Sequence, residues 1–558
     1  MVIIERMIKL CGCVNFYYFV PRGARACNGT EMLCIIENKM NIDLQSLKNE
    51  GCLPDCEGTS LVVYESYKNL TLTNEISARD GVIHLILNAN TNHLEPSEYD
   101  SPSRMYGRLH FTLLSHPTMR YRRYVVNDLL DVIELEVRIA SQCSNNEQSH
   151  SDVDTCRHLL TFQEVQALVN RAIGNDAAVQ KFFLGSYSDK KIGFLGSHQR
   201  LSVEIKTPNK KDINILSFFV KVVPYDLPAQ AEYVLDKCAF LKENIFYHDI
   251  FPQLCHEYKG EPWTATCFLS KDNLLVFEDL GAKGYSLRNK LFDKELIESA
   301  LTTIAKLHAC SLLAEARLGK SLKEMYPCAF VENAFSKTGK TRTWFEVSVN
   351  AIVAVAKHLG LNADLVPKAC EEVYAALEMS TTKRNVVSHG DLWGNNFMFS
   401  NTAPPKCSLI DFQLFRYSPL AHDVIQLLYL CADRDFREKW EETMLRHYYS
   451  VLREVLNSAE SVSVQVPSWS ELIAGMEEQR LAAVITACTY FQITLMDEKI
   501  GAEIMNDPDS YHEFEFKNRN ETLIEIMKID PVYRKRLSET VTELVEFSFR
   551  LDKIPKPT

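Results

Sequence analysis

Two aspartates and one asparagine lie close together in the segment VVSHGDLWGNNFMFSNTAPPKCSLIDFQ, which runs from residue 386 to 413. Asn396 follows Asp391 by five residues, and Asp411 follows Asn396 by fifteen. Carboxylate and amide oxygens are the ligands that a hard cation such as Mg²⁺ prefers. A carboxylate can also orient a hydroxyl group and accept its proton. These residue types at this spacing indicate transfer of a phosphoryl group from ATP to a hydroxyl, with Mg²⁺ neutralising the phosphate oxygens.

Each of these side chains has a separate predicted task. Asp391, in HGDLWGNN, is the predicted catalytic base, and Asn396 and Asp411 are the predicted metal ligands. Asn395 is the neighbour of Asn396, and only the spacing selects Asn396. His389 is also a catalytic candidate, although we expect it to brace the loop rather than to take part in the chemistry.

Structural roles compete with these assignments. A carboxylate that follows a glycine, such as Asp391, can cap a helix without any catalytic role. Trp393 is more typical of a packing residue than of a substrate contact. Asp423 is expected to hold the catalytic loop through hydrogen bonds and not to touch the substrate.

The motifs in this segment carry a family resemblance. HGDLWGNN and the later IDFQLFRYSPLAHDV resemble the catalytic loop and metal motif of eukaryotic-type kinases and of their small-molecule relatives, the choline and aminoglycoside phosphotransferases. They resemble most specifically the ecdysteroid kinase-like family of insects. The resemblance covers about residues 156–558. It implies an α+β, two-lobed protein-kinase-like fold with a small β-rich lobe and a larger helical lobe, and it implies ATP and Mg²⁺ as cofactors.

The resemblance also implies a nucleotide site upstream of the catalytic loop. Lys221 lies in FFVKVV among bulky apolar residues, where burial of a lysine is costly unless a counter-charge meets it. ATP phosphates and a helix carboxylate would supply that charge. Glu243, in FLKENIFYHDIFPQL, matches the family pattern for the carboxylate, and Glu232 stays open as the alternative.

Two further segments are candidates for contacts with the nucleotide. VFEDLG resembles the hinge between the lobes, so the backbone of Glu278, Asp279 and Leu280 is expected to hydrogen-bond adenine. FLGSHQRLSVEI is the candidate phosphate loop, in which Gly196 and Ser197 would approach the phosphates. A full G-x-G-x-x-G is absent from it, which is common in small-molecule kinases.

The residues after the second aspartate bear on what is phosphorylated. Protein kinases place a long activation segment and an A-P-E type anchor there, but only eleven residues separate Asp411 from Asp423. Gln413 replaces the glycine of D-F-G and Gly390 the arginine of H-R-D, which also favours a small-molecule acceptor. LLYLCADRDF and RLAAVITACTYFQITLMDE are apolar and aromatic with few acidic residues. We expect them to bind a hydrophobic alcohol, such as a steroid or a plant or drug metabolite, rather than a cation.

Sequence periodicity predicts the elements that position these residues. FQEVQALVNRAI and a segment from Gln230 that carries Glu232 and Glu243 are predicted helices. LSVEI, LSFFVKVV and LLVFEDLG are predicted strands of a small sheet. Asp293 is the predicted cap of a helix whose apolar residues recur every three or four positions. Most of the chain beyond Leu301 is predicted to be helical, apart from the catalytic segment.

The first part of the chain has a different character. Eight of the 17 cysteines and two N-x-T sequons, at Asn28 and Asn69, fall within the first 156 residues, which favours disulfides and secretion. CGCVNFYYFVPRGARACNG, CLPDCEGTSLVVYE and LHFTLLSHPTMRYRRYVVNDLLDVIELE resemble the membrane-proximal part of the extracellular domain of degenerin and epithelial sodium channels. The interval that follows is too charged to be the pore helix that such a channel requires.

These features predict four regions of the chain. They are a cysteine-rich, β-containing segment at 1–141, a polar linker at 142–155, a kinase amino-terminal lobe with the hinge at 156–282, and a helical lobe with the acceptor site at 283–558. The chain is expected to be either a merged gene prediction or a true fusion whose first segment is a binding module. A merger is favoured because a cytosolic enzyme and an oxidised, glycosylated module need different folding environments.

Composition narrows the possible function classes. The 558 residues are 46% hydrophobic and 24% charged, as in a globular protein, and the net charge of −12 argues against a nucleic-acid partner. No uninterrupted apolar run approaches the roughly 20 residues of a membrane helix, and the start does not have the pattern of a signal peptide. We therefore expect a cytoplasmic location and no membrane contact for the kinase part. Its nine cysteines, from Cys238 to Cys488, are scattered singly and are expected to be buried thiols.

Three function classes remain open from the sequence. The leading interpretation is an ATP- and Mg²⁺-dependent kinase with a small-molecule alcohol as its partner, in an oligomeric state that the sequence leaves open. A pseudokinase or binding protein that keeps the pocket without turnover is the second. The third is a sodium-channel-related fusion protein with no channel activity of its own.

Overall fold

A computed structural model describes residues 159–187, 196–207, 213–460 and 462–558. The cysteine-rich segment and the linker that the sequence predicts at 1–141 and 142–155 lie outside these described residues. The described part of the chain consists of a sheet-rich lobe followed by a helical lobe, which confirms the predicted two-lobed α+β fold for this part.

The amino-terminal lobe is built on a five-stranded antiparallel sheet with the order β1-β2-β3-β5-β4. Alternate residues of the second strand, Leu201, Val203 and Ile205, are buried, as expected when one face of a strand covers a core. The predicted strands and the predicted first helix are confirmed. The elements are α1 Phe162–Ile173, β1 Ala178–Ser186, β2 Ser197–Lys206, β3 Asn214–Val222, β4 Cys267–Lys271 and β5 Leu274–Glu278.

Short helices connect the third and fourth strands. They are α2 Pro228–Asp236, α3 Ala239–Ile245, a π-helical turn at Phe246–Ile250 and α4 Phe251–Cys255. The prediction of one helix carrying both Glu232 and Glu243 is wrong, because Cys238 adopts a left-handed conformation with φ 53° and ends the helical repeat between them. The two glutamates therefore belong to separate helices.

The helical lobe is organised around one long buried helix, α5 Lys294–Leu318. The predicted cap is confirmed, since the Asp293 carboxylate accepts the backbone N–H of Leu296 at 3.0 Å. The other helices of this lobe are α6 Leu322–Met325, α7 Gly339–His358, α8 Val366–Glu371, α9 Val373–Ala376, α10 Ala421–Cys431, α11 Arg434–Asn457, α12 Trp469–Thr494, α13 Glu498–Asn506, α14 Pro508–Phe516, α15 Asn520–Ile529 and α16 Pro531–Ser548.

Two small sheets hold the catalytic segment against this helical core. In one, β7 Asn385–Ser388 pairs with β10 Arg416–Pro419. In the other, β6 Tyr285–Ser286, β8 Phe397–Ser400 and β9 Cys407–Leu409 pair in that order. The loop between β7 and β8 carries HGDLWGNN, and the turn between β9 and β10 carries IDFQ, so both motifs emerge from strand ends.

The long helix α5 also bears on membrane insertion. Among the described residues it is the one helix long and apolar enough to cross a bilayer, but 72% of its most apolar window is buried inside the protein. It packs on α11 and on strands β7 and β9, as a core helix does. Six of the nine cysteines in the described part are buried and three are partly exposed, so the expectation of buried side chains holds for the six.

A buried carboxyl next to α5 makes folding stability depend on pH. Glu315 accepts the backbone N–H of Leu322 and the hydroxyl of Tyr417, each at 3.0 Å, and burial raises its pKa to about 7. Because this folded-state pKa is above the unfolded value, the contribution of Glu315 is fully present below about pH 4.5 and is lost as the pH rises through about 7.

We predict that wild type loses on the order of 1–3 kcal/mol of unfolding free energy relative to Glu315→Gln between pH 5 and pH 8.5. Urea unfolding of both proteins at a series of pH values between 5 and 8.5 measures the difference in unfolding free energy. Only the change of this difference with pH is used, so a pH-independent effect of the substitution cancels. A difference that is independent of pH, or that grows in favour of wild type with rising pH, would contradict the assignment.

Candidate active site

Asp423 fixes the backbone of the catalytic loop. Its two carboxylate oxygens accept the backbone N–H groups of His389 at 2.7 Å and Gly390 at 3.0 Å, and His308 Nε2 lies 3.1 Å away. Burial alone would raise the Asp423 pKa, but the hydrogen bond and charge of His308 outweigh it and lower the pKa to about 2. The predicted role of Asp423 in holding the loop is confirmed, and the carboxylate stays ionised at any physiological pH.

The loop also requires glycine at position 390. Gly390 has φ +74°, and a β-carbon there would lie 2.5 Å from the carbonyl oxygen of Leu414. Left-handed backbone alone is unfavourable for other residues, and this contact leaves no space for a side chain. Local geometry therefore requires glycine at position 390, where the protein-kinase motif has arginine.

His389 braces the loop from behind. Its Nε2 lies 2.9 Å from the carbonyl oxygen of Ile410, and its Nδ1 accepts the backbone N–H of Asp391 at 3.3 Å. Burial lowers its pKa, so the ring is neutral and Nε2 carries the proton. The ring is fully buried and links the two motifs, which fits a positioning residue better than a proton-transfer group.

Asp391, Asn396 and Asp411 come together as the sequence predicted. The amide nitrogen of Asn396 donates to the Asp391 carboxylate at 2.9 Å and to its backbone carbonyl at 2.7 Å. The backbone carbonyl of Asn396 accepts the N–H of Ile410 at 3.1 Å, which places Asp411 beside it. Burial and the neighbouring Asp411 raise the pKa of Asp391 to about 7. Two carboxylates close enough to repel each other make a site that favours a cation.

The donor set at this point fits a hard divalent cation. Both amide hydrogens of Asn396 are directed at Asp391, which leaves its side-chain oxygen for a metal. Asp411 is 26% exposed at its side chain and lines the same cavity. Within the described ranges no cluster of three or more His, Cys, Asp or Glu could enclose a metal. A site with two protein oxygens suits Mg²⁺, which keeps water and phosphate oxygens as its other ligands.

Lys221 on β3 connects the two lobes at the site. Its ammonium lies 2.7 Å from both Glu243 and Asp411, and the residue is only 4% exposed. Burial lowers its pKa, but the charges of Asp411 and Glu243 outweigh burial and raise it above its ordinary value. Glu232, the alternative partner, instead pairs with Lys340 at 2.8 Å. The structure therefore selects Glu243.

A cavity of about 490 Å³ opens over these groups. Five residues predicted for the nucleotide site line it, namely Gly196, Lys221, Glu243, Glu278 and Leu280. Ser197 and Asp279 do not. Ser197 begins β2 opposite Val222, and the Asp279 carboxylate accepts the hydroxyl of Tyr187 at 2.8 Å and the N–H of Ala282 at 3.1 Å. The side chain of Asp279 thus shapes the hinge instead of facing the cavity.

The other end of the cavity was only partly predicted. Tyr490, Ile493 and Thr494 come from α12, within RLAAVITACTYFQITLMDE, as expected. LLYLCADRDF supplies no lining residue, because α10 is buried in the core, so that part of the prediction is wrong. Sequence reasoning missed five lining residues on α2, α7 and α14 or beside them, which share no local motif. They are Tyr233, Lys237, Trp344, Tyr511 and Glu515.

A buried lysine–glutamate pair, a metal-type aspartate and a short catalytic loop that faces a small-molecule cavity define this protein as a small-molecule kinase. Residues 193–461 match the family model described as the ecdysteroid kinase-like family. This part of the chain is similar to that family. Residues 2–134 match the amiloride-sensitive sodium channel, so both predicted resemblances are confirmed. No curated protein matches the chain.

Several solved structures are similar to the chain at low identity. An ethanolamine kinase of Plasmodium vivax is 14% identical over 68% of this chain and 87% of its own, with a TM-score of 0.31. A spectinomycin phosphotransferase with ADP and spectinomycin is 10% identical over 69% and 98%, with a TM-score of 0.34. A macrolide 2′-phosphotransferase of Brachybacterium faecium is 9% identical over 68% and 97%, with a TM-score of 0.29.

The steric role of Gly390 can be separated from its positive φ. Gly319 also has positive φ, +70°, but nothing lies within 4 Å of a β-carbon built there. Both alanine variants should lose roughly 1–2 kcal/mol of stability through backbone strain. We predict that only Gly390→Ala also abolishes phosphotransfer, measured at a temperature where both variants are folded. Activity of Gly390→Ala equal to that of Gly319→Ala would show that the loop tolerates a side chain.

Proposed function

We propose that this chain transfers the terminal phosphoryl group of ATP, with Mg²⁺, to a hydroxyl of a small hydrophobic molecule. The supporting observation is that Asp391, Asn396 and Asp411 converge beside one cavity. Lys221 lines the same cavity, as do aromatic side chains of the helical lobe such as Trp344 and Tyr490. The acceptor class would be steroid-like or xenobiotic alcohols.

In this proposal the amino-terminal lobe binds the nucleotide. The backbone from Glu278 to Leu280 would bind adenine at the end of β5, and Gly196 would leave space for the phosphates above Lys221. A β-carbon built at Gly196 would lie 3.4 Å from the Lys221 side chain, an ordinary van der Waals distance, so Gly196 lies directly beside Lys221. Lys221 would then bind phosphate oxygens while Glu243 holds it in place.

In the chemical step Asp391 would orient the acceptor hydroxyl and accept its proton as the oxygen attacks the terminal phosphorus. The bond from phosphorus to the bridging oxygen breaks, and ADP leaves. Bound Mg²⁺, held by Asn396 and Asp411, would neutralise charge on the phosphate oxygens. The hydrogen bond from Asn396 keeps the Asp391 carboxylate in one orientation before the acceptor arrives.

The base assignment is tested with Asp391→Asn, which keeps the shape of the side chain and removes its charge. We predict a loss of turnover of about 10²–10⁴-fold with little change in affinity for nucleotide. Production of ADP in the presence of an alcohol panel measures turnover, and calorimetry measures nucleotide binding. Wild type that binds ATP without phosphorylating any alcohol would instead support a pseudokinase. Retained turnover in the variant would refute the role of Asp391.

The lysine partner is tested by a matched pair of substitutions. Glu243→Gln removes a carboxylate 2.7 Å from Lys221, whereas Glu232→Gln removes one that pairs with Lys340. We predict that only Glu243→Gln weakens nucleotide affinity, by about tenfold or more, because Lys221 loses the charge that positions it. Equal effects of the two variants in a titration with ADP and Mg²⁺ would contradict this.

We also propose that the kinase part, from about residue 156, works in the cytoplasm as a unit separate from the preceding segment. Its described residues include seven free cysteines, which supports a reducing compartment; they are Cys255, Cys267, Cys310, Cys370, Cys407, Cys431 and Cys488. The intact mass of the protein from native tissue tests whether the two parts are separate proteins. A species near 48 kDa, roughly the mass of 420 residues, would support a separate kinase. Recovery of the full 63.8 kDa species would support a fusion.

A further inference from the structure

Three lysines are buried within the described part of the chain, and they differ in what surrounds the ammonium. Lys221 has two carboxylates at 2.7 Å. Lys242 donates to three oxygens, the carbonyls of Val331 and Phe415 and the side chain of Asn333, at 2.8 to 3.0 Å. Lys237 is only 9% exposed, yet no described oxygen accepts a hydrogen bond from its ammonium.

The carboxylates nearest to Lys237 already have other partners. Glu515 pairs with Arg519 at 3.2 Å, and Glu332 pairs with Arg416 at 3.3 Å. Asp391 accepts from Asn396. Burial lowers the pKa of Lys237 to about 8, although the charges of Asp391, Glu515 and Glu332 act against burial. The ammonium is therefore mostly protonated at neutral pH without a direct counter-ion, which is costly inside a protein.

Aromatic rings supply the contacts that Lys237 does have. Its ammonium lies 4.8 Å from the ring centre of Tyr233 and 5.6 Å from that of Trp344. Both rings line the cavity together with Lys237 and Asp391. Cation–π contacts offset part of the cost of burial but leave the hydrogen-bonding capacity of the ammonium unused. A donor held in this way on the wall of a cavity is placed to bind a ligand oxygen.

We infer that Lys237 binds a second oxygen of the acceptor, a carboxylate or carbonyl oxygen borne on a flat apolar framework whose hydroxyl faces Asp391. This inference rests on the proposed phosphotransfer and narrows its substrate class from any hydrophobic alcohol to alcohols with such an oxygen. Lys237 and Asp391 both line the cavity and do not form an ion pair, so each is open to a ligand that occupies the cavity. Trp344 and Tyr490 form part of the apolar wall around it.

The test compares three kinds of benzyl alcohol, whose ring carries a carboxylate, an acetyl group or an isopropyl group. Each kind is used with the substituent in the meta and in the para position. Binding to the full chain is measured by calorimetry with Mg²⁺ and a non-hydrolysable ATP analogue present. Wild type should bind the carboxylate or the acetyl compound at least about tenfold more tightly than the isopropyl compound, since hydrogen bonds to a charged group contribute this much. Comparison of the carboxylate compound with the acetyl compound shows whether the site prefers an anionic or a neutral acceptor.

Lys237→Met should remove this preference and leave nucleotide affinity unchanged. Lys535→Met, which removes a lysine 65% exposed at its side chain, should keep it. Equal binding of the three compounds by wild type, or a preference that survives in Lys237→Met, overturns the inference. The inference is also overturned if Lys237→Met loses only nucleotide affinity, because Lys237 would then bind the phosphates.

Stability separates a binding lysine from a structural one. Lys237→Met should leave the melting temperature of the ligand-free protein the same or higher, because methionine packs well against aromatic rings and no hydrogen bond is lost. Lys242→Met should lower it, since three carbonyl-type acceptors lose their donor. A drop for Lys237→Met as large as that for Lys242→Met would overturn the inference.

Phosphorylation of the same compounds is read out separately. If no compound is phosphorylated by wild type but Lys237 governs binding, the proposed chemistry fails and the binding site stands. If compounds are phosphorylated without any dependence on Lys237, the inference fails and the proposed function stands.

Discussion

The contact between Lys221 and two carboxylates is the interaction on which the active-site arrangement depends. Lys221 belongs to the sheet, Glu243 to a helix behind it, and Asp411 to the turn after β9, so one ammonium joins three separate elements. An ammonium this deeply buried is tolerated because two opposite charges lie at hydrogen-bond distance. The same contact leaves Asp411 at the edge of the cavity, where a cation and phosphate oxygens can reach it.

The catalytic loop adds a second constraint, which acts through the backbone. Asp423 holds two successive N–H groups, His389 connects the loop to the turn that carries Asp411, and Gly390 allows the required backbone conformation. All three act before any ligand binds. Asp391 and Asn396 therefore face the cavity in a geometry that does not have to be assembled during the reaction.

The catalytic half of the site could be predicted because its chemistry is contained in a short stretch. Asp391, Asn396 and Asp411 are close in sequence, and the proposed metal-dependent transfer would restrict both their types and their spacing. The choice between Glu232 and Glu243 needed the structure, because the break at Cys238 is set by backbone conformation and has no clear sequence signal. The role of the Asp279 carboxylate in the hinge also could not be predicted from the sequence.

The acceptor end could not be predicted for a different reason. Tyr233, Lys237, Trp344, Tyr511 and Glu515 are spread over almost 300 residues and share no local motif. Only packing of the helices brings them to one wall. Apolar pockets are specified by shape, so their lining residues carry little information until the fold is known.

A crystal structure of the full chain with a non-hydrolysable ATP analogue and Mn²⁺ would show where the cation binds, because the anomalous signal of Mn²⁺ locates the metal. We expect a metal peak within about 2.0–2.3 Å of the Asn396 side-chain oxygen and of an Asp411 carboxylate oxygen, between these oxygens and the phosphates. A metal bound elsewhere, or phosphates that do not contact Lys221, would show that these residues do not form the metal and phosphate site.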